Sequence, residues 1–241
     1  MNLNLGKSTF ELLVPIVNSI SGALTITAVT NNGGGSYTLS MCNTLWATTG
    51  YTITIGGNQY TITSIVPNVS LTVSGSVVPS VGAFNLYPPV FYHGTIQSTI
   101  QDLNEKVNNA SNSTDKLPMI WLHESVDETI NFQPTEPIYR NSNVDIYFLI
   151  DANFRDWTND DHYTFAIKPM RQLIEAFLYS MKYSGQVNDN LIDTLKLNDL
   201  PRFGNYTAQD GSKKTIFSNY PLSGTRLSLT IPFLRNNKNC C

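Results

Sequence analysis

Three aspartates, a histidine and a tryptophan lie within eight residues of the sequence, DWTNDDHY at 156–163. Carboxylates and imidazoles bind metal ions and transfer protons, so this stretch raises the question of a metal or acid/base site. A metal site needs converging ligands, and the other histidines, His93 and His123, show no spacing that relates them to His162. On a helix, Asp161 and His162 would point about 100° apart, which is poor geometry for chelating one ion.

The same residues are typical of a helix start. Thr158 stands three residues before Asp161, which resembles a capping box with aspartate in place of glutamate. Asp160 and Asp161 would then lie in the first turn, where the helix dipole favours carboxylates. The apolar residues that follow are spaced by four, three, four, three and four positions: Tyr163, Ile167, Met170, Ile174, Phe177 and Met181. We therefore predict a long helix over about 158–183. A metal or acid/base site and an interface role for Trp157 are the alternatives.

Two prolines fall inside predicted helices. Pro169 lies within the long helix, and because the apolar stripe continues in register across it, the sequence predicts a kink rather than a break. A first helix begins at Ser8 or Thr9 as the cap, and Pro15 makes that helix short or kinked. A further amphipathic helix, without proline, is predicted over 95–109.

Other catalytic patterns are missing from the sequence. It contains no GxSxG elbow, P-loop, GxGxxG or HExxH motif. Glu124, Asp127 and Glu128 lie close together, and we interpret them as a strand–turn surface rather than an acid/base pair. The sequence therefore predicts no catalytic, cofactor-binding or metal-binding residues, and it predicts that the protein is not an enzyme.

Composition and charge restrict the function further. The chain has 241 residues, 41% of them hydrophobic, which suffices for a packed core. Its formal net charge of -3 argues against a general nucleic-acid binder. The basic residues Lys213, Lys214, Arg235 and Lys238 form short groups, which we interpret as solvated surface. Because no run of about 18 apolar residues occurs, the sequence predicts no transmembrane helix.

The three cysteines do not make a disulfide framework. Cys42 is isolated in sequence, and Cys240 and Cys241 are adjacent, a spacing that strains a bridge between them. A reduced tail is the expected state, and a crosslink between subunits is the alternative. No Cys/His spacing suggests zinc. With no basic leader before an apolar run, the expected compartment is the reducing cytosol.

Charge divides the chain into two parts. Of the 33 charged residues, only Lys7 and Glu11 lie in the stretch 1–92. Within that stretch, apolar residues alternate with threonine or serine in five runs: 25–29, 36–41, 51–55, 59–65 and 70–75. This pattern predicts five short strands in a small barrel or sandwich over 22–92. Gly56, Gly57 and Asn58 separate two of the runs and predict a tight hairpin loop. Its uncharged Thr/Ser face either contacts another protein or is polar solvent surface.

The second part alternates strands with the long helix. Predicted strands cover 117–125, 128–132, 143–151, 202–208 and 225–234. The sequence therefore predicts an α+β fold in which a sheet carries its long helix on one face. In this interpretation, the helix within 1–21 belongs with the α+β domain at 93–241, and 22–92 is an inserted β domain.

The arrangement of the second part resembles a family of phage proteins. The features are an N-terminal helix, the strands LPMIWL and VDIYFLID, the DWTNDDHY helix start, the long helix and the closing strand RLSLTIPF. Together they resemble the tail-terminator and tail-completion (neck) proteins of tailed bacteriophages. The resemblance covers 1–20 and about 93–235, and the β region at 22–88 departs from the simplest members.

The resemblance implies a structural virion protein at the neck or tail, assembled in the bacterial host cytoplasm. Such proteins form homo-oligomeric rings at the head–tail junction, here with about 6 or 12 expected copies. The implied partners are neighbouring neck, portal or tail-tube proteins, and DNA that passes without sequence recognition. The family has no active site, so it supplies no catalytic residues. An acidic chain suits a lumen through which DNA slides without binding.

Two other functions remain open at this point. The first is a virion or surface binding module whose β domain recognises carbohydrate, with Trp46, Tyr51 and Tyr60 as aromatic platforms. The competing interpretation is that these aromatic residues fill the small barrel. The second is an enzyme that uses the acidic cluster at 156–163, which requires its side chains to meet converging partners.

Overall fold

The computed structural model describes residues 7–86, 88–108, 117–123, 126–131, 139–188, 194–207, 213–215 and 221–234. The fold is α+β, as predicted, with helices and several antiparallel pairings of strands. Five residues named in the sequence analysis lie outside the described ranges: Glu124, Arg235, Lys238, Cys240 and Cys241.

The region between the first two helices is entirely β. Helix α1 spans Thr9–Asn18, and seven strands follow: β1 Gly22–Ile26, β2 Ala28–Gly33, β3 Ser36–Ser40, β4 Thr52–Ile55, β5 Asn58–Val66, β6 Ser70–Ser74 and β7 Gly82–Leu86. One sheet has the order β2-β3-β6-β5-β4, and β1 pairs with β7 in a second sheet. Both sheets place apolar side chains in one shared core. Of the predicted barrel or sandwich, the structure therefore has two sheets packed on each other.

Alternation of side chains builds this β core. Ile53 and Ile55 are buried while Thr52 and Thr54 are only partly covered, as a period of two requires. The β4–β5 hairpin turns through Gly56 and Gly57, whose φ angles of 57° and 83° are the left-handed values that a tight two-residue loop needs. The predicted tight loop at this position is therefore confirmed.

A separate, six-stranded sheet is formed by the later strands: β8 Val90–Gly94, β9 Met119–His123, β10 Asp127–Asn131, β11 Tyr139–Asp151, β12 Leu195–Phe203 and β15 Leu222–Leu234. The order is β12-β15-β11-β9-β8, and β10 pairs with β11. Between β12 and β15, β13 (Asn205–Thr207) pairs with β14 (Lys213–Thr215). Strand β8, whose first residues fall at the end of the predicted range 22–92, pairs with β9 of this sheet. The single strand predicted at 202–208 needs correction: residues 202–207 hold the end of β12, which begins at Leu195, and then β13.

Two helices lie on the same face of the six-stranded sheet. Helix α4, Lys168–Tyr183, packs Phe177 edge-on against Phe148 of β11, with ring centroids 5.6 Å apart. Helix α1 contacts both α4 and β8, and Phe10 lies against Phe91 and His93 of β8. The first helix thus contacts elements of the second part of the chain, beyond the intervening β strands.

The opposite face of that sheet is covered by a third helix. Helix α2 spans Ile96–Asn108, close to the predicted 95–109, and contacts β8. Its Leu103 is buried in a second apolar cluster with Trp121 and Leu149, which point away from α4. The sheet is therefore sandwiched between helices over this part of its width.

The long helix has an irregular first half. Helix α3, Asn159–His162, continues into a π segment, Tyr163–Ile167, which leads directly into α4. The Lys168 N–H donates to the carbonyl of Tyr163 five residues earlier. The wide turn directly precedes Pro169, whose ring would clash with the carbonyl four residues before it in a regular helix. The helical path therefore continues through Pro169.

The π segment changes which residues face the core. A regular helix would bury Tyr163 one turn before Ile167, as the predicted apolar stripe requires. Because a π turn takes one extra residue, the inward position falls on His162 instead. His162 is fully buried, whereas Tyr163 is 52% exposed. The predicted stripe is therefore correct from Ile167 onwards and wrong at its first member.

Candidate functional site

The acidic cluster begins a helix, as predicted. The Thr158 hydroxyl oxygen accepts a hydrogen bond from the Asp161 N–H at 3.3 Å. In return, the Asp161 carboxylate accepts from the backbone N–H and the hydroxyl of Thr158, both at 2.8 Å. These hydrogen bonds, the backbone one first, lower the pKa of Asp161. The capping box is thus complete, and both Thr158 and Asp160 are exposed at the helix end.

His162 leaves the cluster and enters the core. Its Nδ1 lies 2.9 Å from Ser223 Oγ, and Arg202 Nε donates to its Nε2 at 3.3 Å. Because the guanidinium can only donate, Nε2 must be the acceptor and Nδ1–H the donor to Ser223. Burial, and then the positive charge of Arg202, lowers the pKa of His162, so the ring stays neutral. This contact fastens the helix start to β12 and β15.

The possible metal or acid/base site does not assemble. Asp160 is exposed and Asp161 is occupied by its cap, while His162 faces the interior. Within the described ranges, no group of three His, Cys, Asp or Glu side chains is placed to hold a metal ion. Trp157 packs edge-on against the His162 ring at 5.3 Å, so it contributes to the same buried joint.

A second polar joint fastens α1 to the sheet. Arg140 is 3% exposed, donates from Nη1 to the carbonyl of Lys7 at 2.7 Å, and forms an ion pair with Glu128. The Thr9 hydroxyl also donates to Glu128, at 2.6 Å. Burial raises the pKa of Glu128, but the hydrogen bonds from Arg140 and Thr9 outweigh burial and leave the pKa below its ordinary value. Glu128 is therefore more than the strand–turn surface predicted for it, whereas Asp127 is exposed.

A cleft of about 660 Å³ lies between the β region and the end of the six-stranded sheet. One wall comes from the chain between β3 and β4 and from β5; the other comes from the end of β11 and the π segment. Its lining includes residues with hydroxyl, carboxylate or aromatic side chains: Thr48, Thr49, Ser64, Asp151, Trp157 and Phe165. Hydroxyl, carboxylate and aromatic groups therefore face one space.

Asp151 is the charged group of this cleft. Its Oδ1 accepts a hydrogen bond from the Ala152 N–H at 3.1 Å, and its side chain is accessible to solvent. The surrounding protein nonetheless raises the pKa of Asp151, because the cleft walls displace part of its hydration. No motif in the sequence points to Asp151. Its place as the last residue of a buried strand could have indicated a site, because side chains at strand ends border loops and clefts.

The aromatic residues proposed as carbohydrate platforms lie inside the β region. Trp46, Tyr51 and Tyr60 are 2%, 7% and 1% exposed. None of the three presents a ring face to solvent, so the interpretation that they fill the core is correct. Cys42 is a free, exposed thiol. The side chains of Lys213 and Lys214 lie outside the described part of the structure.

No family model matches the chain, and no curated protein sequence matches it. In the part of the chain that the structure describes, the helices fall short of the length and apolar character that a membrane crossing requires.

Proposed function

We propose that the chain is a structural virion protein of a tailed phage, which forms a homo-oligomeric ring at the head–tail junction. The observation that carries the proposal is the packing of α1 and α4 on one face of the six-stranded sheet. The resemblance to neck proteins rests on this order of elements: an N-terminal helix that returns to a later sheet, a long helix after a buried strand, and a closing strand. The closing strand β15 lies between β11 and β12.

The edge of the sheet offers a surface for self-association. Among the described strands, β12 pairs with β15 on one side and with no strand on the other. Leu195 and Leu197 of β12 are 45% and 47% exposed. An open edge strand with exposed leucines is a template for pairing with another chain. A head-to-tail contact of this kind closes into a ring when the rotation between copies permits it.

Helix α4 extends the same surface. Tyr179 and Tyr183 are each 66% exposed, and their rings lie 4.4 Å apart. Arg171, in the first turn of α4, binds Asp199 of β12 through Nε and Nη2, at 3.1 Å and 2.6 Å, so the start of this helix lies beside the edge strand. Tyrosine is common at the centre of protein interfaces because its large ring loses little conformational freedom there. We therefore place the contact between copies at β12 and the adjoining side of α4.

Light scattering on the purified chain, followed by negative-stain imaging of the same fraction, tests the proposal. We expect a discrete ring of about 6 or 12 copies, as a closed cyclic assembly requires. A sole monomer of 26.8 kDa, both alone and in the presence of virion partners, would contradict it.

Two double variants locate the contact. Leu195→Lys with Leu197→Lys places charges on the edge strand, and we expect it to reduce the ring to monomers. Val77→Lys with Val78→Lys is the matched control, since these valines are also exposed, by 46% and 56%, but lie in the β region. The control should keep the ring. If both pairs of substitutions leave the ring intact, the assigned contact is wrong.

A further inference from the structure

The cleft between the β region and the sheet has the size and composition of a ligand site. Its volume of about 660 Å³ falls within the range of small-molecule sites, which runs from roughly 300 to 1,000 Å³. Both halves of the chain contribute walls, and binding sites are frequent at such junctions. The elements that shape it are the segment around Thr48, the strand β5, the end of β11 and the π segment.

The charge balance in this cleft is one-sided. Asp151 lines it, and none of the other described lining residues is a lysine, arginine or histidine. One carboxylate oxygen accepts from the Ala152 N–H, which leaves the second oxygen for a ligand. A carboxylate in a partly dehydrated cleft gains most from a cation that enters with its own hydrogen-bond donors.

An aromatic pair stands on the same wall. Trp157 and Phe165 stack with ring centroids 5.4 Å apart and an angle of 28° between their planes. The backbone N–H of Trp157 donates to the backbone carbonyl of Asn153 at 3.0 Å, which ties this residue to the turn that follows Asp151. Faces of tryptophan and phenylalanine attract ammonium and guanidinium groups through the negative charge of the ring face. The carboxylate and the rings thus favour the same kind of ligand.

Two irregular backbone segments border the cleft independently of its charge. Phe165 belongs to the π segment, and single π turns within helices are frequent at functional sites. Leu45, on the opposite wall, has a φ of 47°, a left-handed value that costs free energy for a residue with a branched side chain. Strained residues of this kind cluster at binding sites, where the surrounding structure holds them in place.

We propose that this cleft binds a ligand bearing an alkylammonium or guanidinium group, with the cation at the Asp151 carboxylate and beside the Trp157–Phe165 pair. The hydroxyls of Thr49 and Ser64 on the facing wall supply further hydrogen bonds to the ligand. The cation belongs either to a lysine or arginine side chain of another protein or to a free polyamine. The site does not depend on ring formation, because every residue named here comes from a single chain.

Binding is measured on the full chain by isothermal titration calorimetry and by Trp157 fluorescence. The probes are N-acetyl-arginine amide, N-acetyl-lysine amide and spermidine. N-acetyl-citrulline amide is the neutral probe, since it has nearly the shape of the arginine probe without its charge. We expect the charged probes to bind at least about tenfold more tightly than the citrulline probe, which corresponds to about 1.4 kcal/mol.

Asp151→Asn is the informative variant, because it keeps the shape of the side chain and removes its charge. We expect a loss of about tenfold in affinity for the charged probes and no change for the citrulline probe. Asp160→Asn is the matched control, since Asp160 is an exposed aspartate at the start of the following helix and does not line the cleft. Far-ultraviolet circular dichroism of each variant checks that the fold is kept.

The outcomes separate the possibilities. Tighter binding of the blocked amino acids than of spermidine indicates a protein side chain as the ligand, and the reverse order indicates a free polyamine; both support the site. Equal binding of arginine and citrulline probes overturns the proposal, as does unchanged affinity in Asp151→Asn. Failure of every charged probe to bind at millimolar concentration overturns it as well.

Discussion

The β region, Gly22–Leu86, and the six-stranded sheet are stabilised in different ways. The β region contains no charged residue, and alternation of apolar side chains with threonine and serine alone forms its core. The sheet also has an apolar core, but its helices are fastened by charged joints: Arg140 with Glu128 and Lys7, and Arg202 with His162. In the β region, the alternation of apolar and polar side chains is enough to align the strands. In the six-stranded sheet, specific polar contacts fix the position of each helix on the sheet.

The difference in charge between the two regions affects how each can contact neighbouring proteins. An uncharged β region tolerates close contact with neighbouring proteins, because little hydration of charged groups is lost when it is covered. The polar joints of the sheet hold α1 and the start of the long helix in place. The proposed contact between copies, on β12 and α4, is therefore presented by a rigid unit.

The largest expected effects come from truncating one core residue in each region. Ile62 and Phe177 are both fully buried, in the β region and in α4. We expect Ile62→Ala and Phe177→Ala each to lower the free energy of unfolding by about 3–5 kcal/mol. Because the buried residues of both regions form one continuous cluster, both variants should shift one common transition.

Urea denaturation followed by tryptophan fluorescence and by circular dichroism checks this expectation. The chain has three tryptophans, so the measurement uses backgrounds that keep only Trp46, in the β region, or only Trp121, in the sheet, with phenylalanine at the other two positions. If Ile62→Ala lowers the urea midpoint of the β region and leaves that of the sheet unchanged, the two regions unfold independently.

The next largest effect concerns the joint between α1 and the sheet. Glu128→Gln removes the negative charge that pairs with the buried Arg140 guanidinium. We expect a loss of about 2 kcal/mol in the free energy of unfolding. Asp145→Asn is the control, because its partner Arg226 is 37% exposed, whereas Arg140, the partner of Glu128, is buried. The control should change the free energy of unfolding by less than about 1 kcal/mol. Equal losses in the two variants would show that burial of Arg140 does not make its ion pair the stronger one.

His162 should make stability depend on pH. Its pKa is lowered in the folded protein, so the unfolded chain takes up a proton that the folded chain excludes. Stability is therefore complete above about pH 6.5 and decreases as the pH falls below that value, by at most about 1.4 kcal/mol per unit.

We expect His162→Gln to abolish this slope in urea midpoints measured across the pH range. His93→Gln, which changes an exposed imidazole, should leave the slope in place. A slope that persists in His162→Gln would assign it to other groups.

The smallest expected effect is at the helix start. Thr158→Ala removes the hydroxyl that accepts from the Asp161 N–H, and we expect a loss of about 1 kcal/mol in the free energy of unfolding. Thr158→Ser retains the hydroxyl and should restore most of the stability. A thermal melt of the three proteins measures the difference, and equal stability of the alanine and serine variants would contradict the capping role.

The sequence predicted the features that depend on local patterns. Thr158 and Asp161 gave the helix start because a cap needs only residues close in sequence, and the Gly56–Gly57 turn was identified for the same reason. Strand β12 was predicted too late in the chain because it lies at the edge, where Leu195 and Leu197 are half exposed and burial does not follow a clear alternation.

Contacts between distant residues were not predictable from spacing. The π segment rotates His162 inward, and only the sheet supplies the partners Ser223 and Arg202 that satisfy its ring. The cleft at Asp151 depends on how the β region lies against the sheet, which no local pattern encodes. In contrast, the order of β9, β10, β11, the long helix and β15 did follow from the sequence, and that order supports the neck proposal.

Cryo-electron microscopy of the head–tail junction, in a phage that carries this chain, shows where the chain lies in the particle. We expect density in the neck to trace this chain as a closed ring, with β12 of each copy against the next. Neck density fully explained by other proteins, with this chain located elsewhere in the particle or missing from it, would overturn the neck proposal.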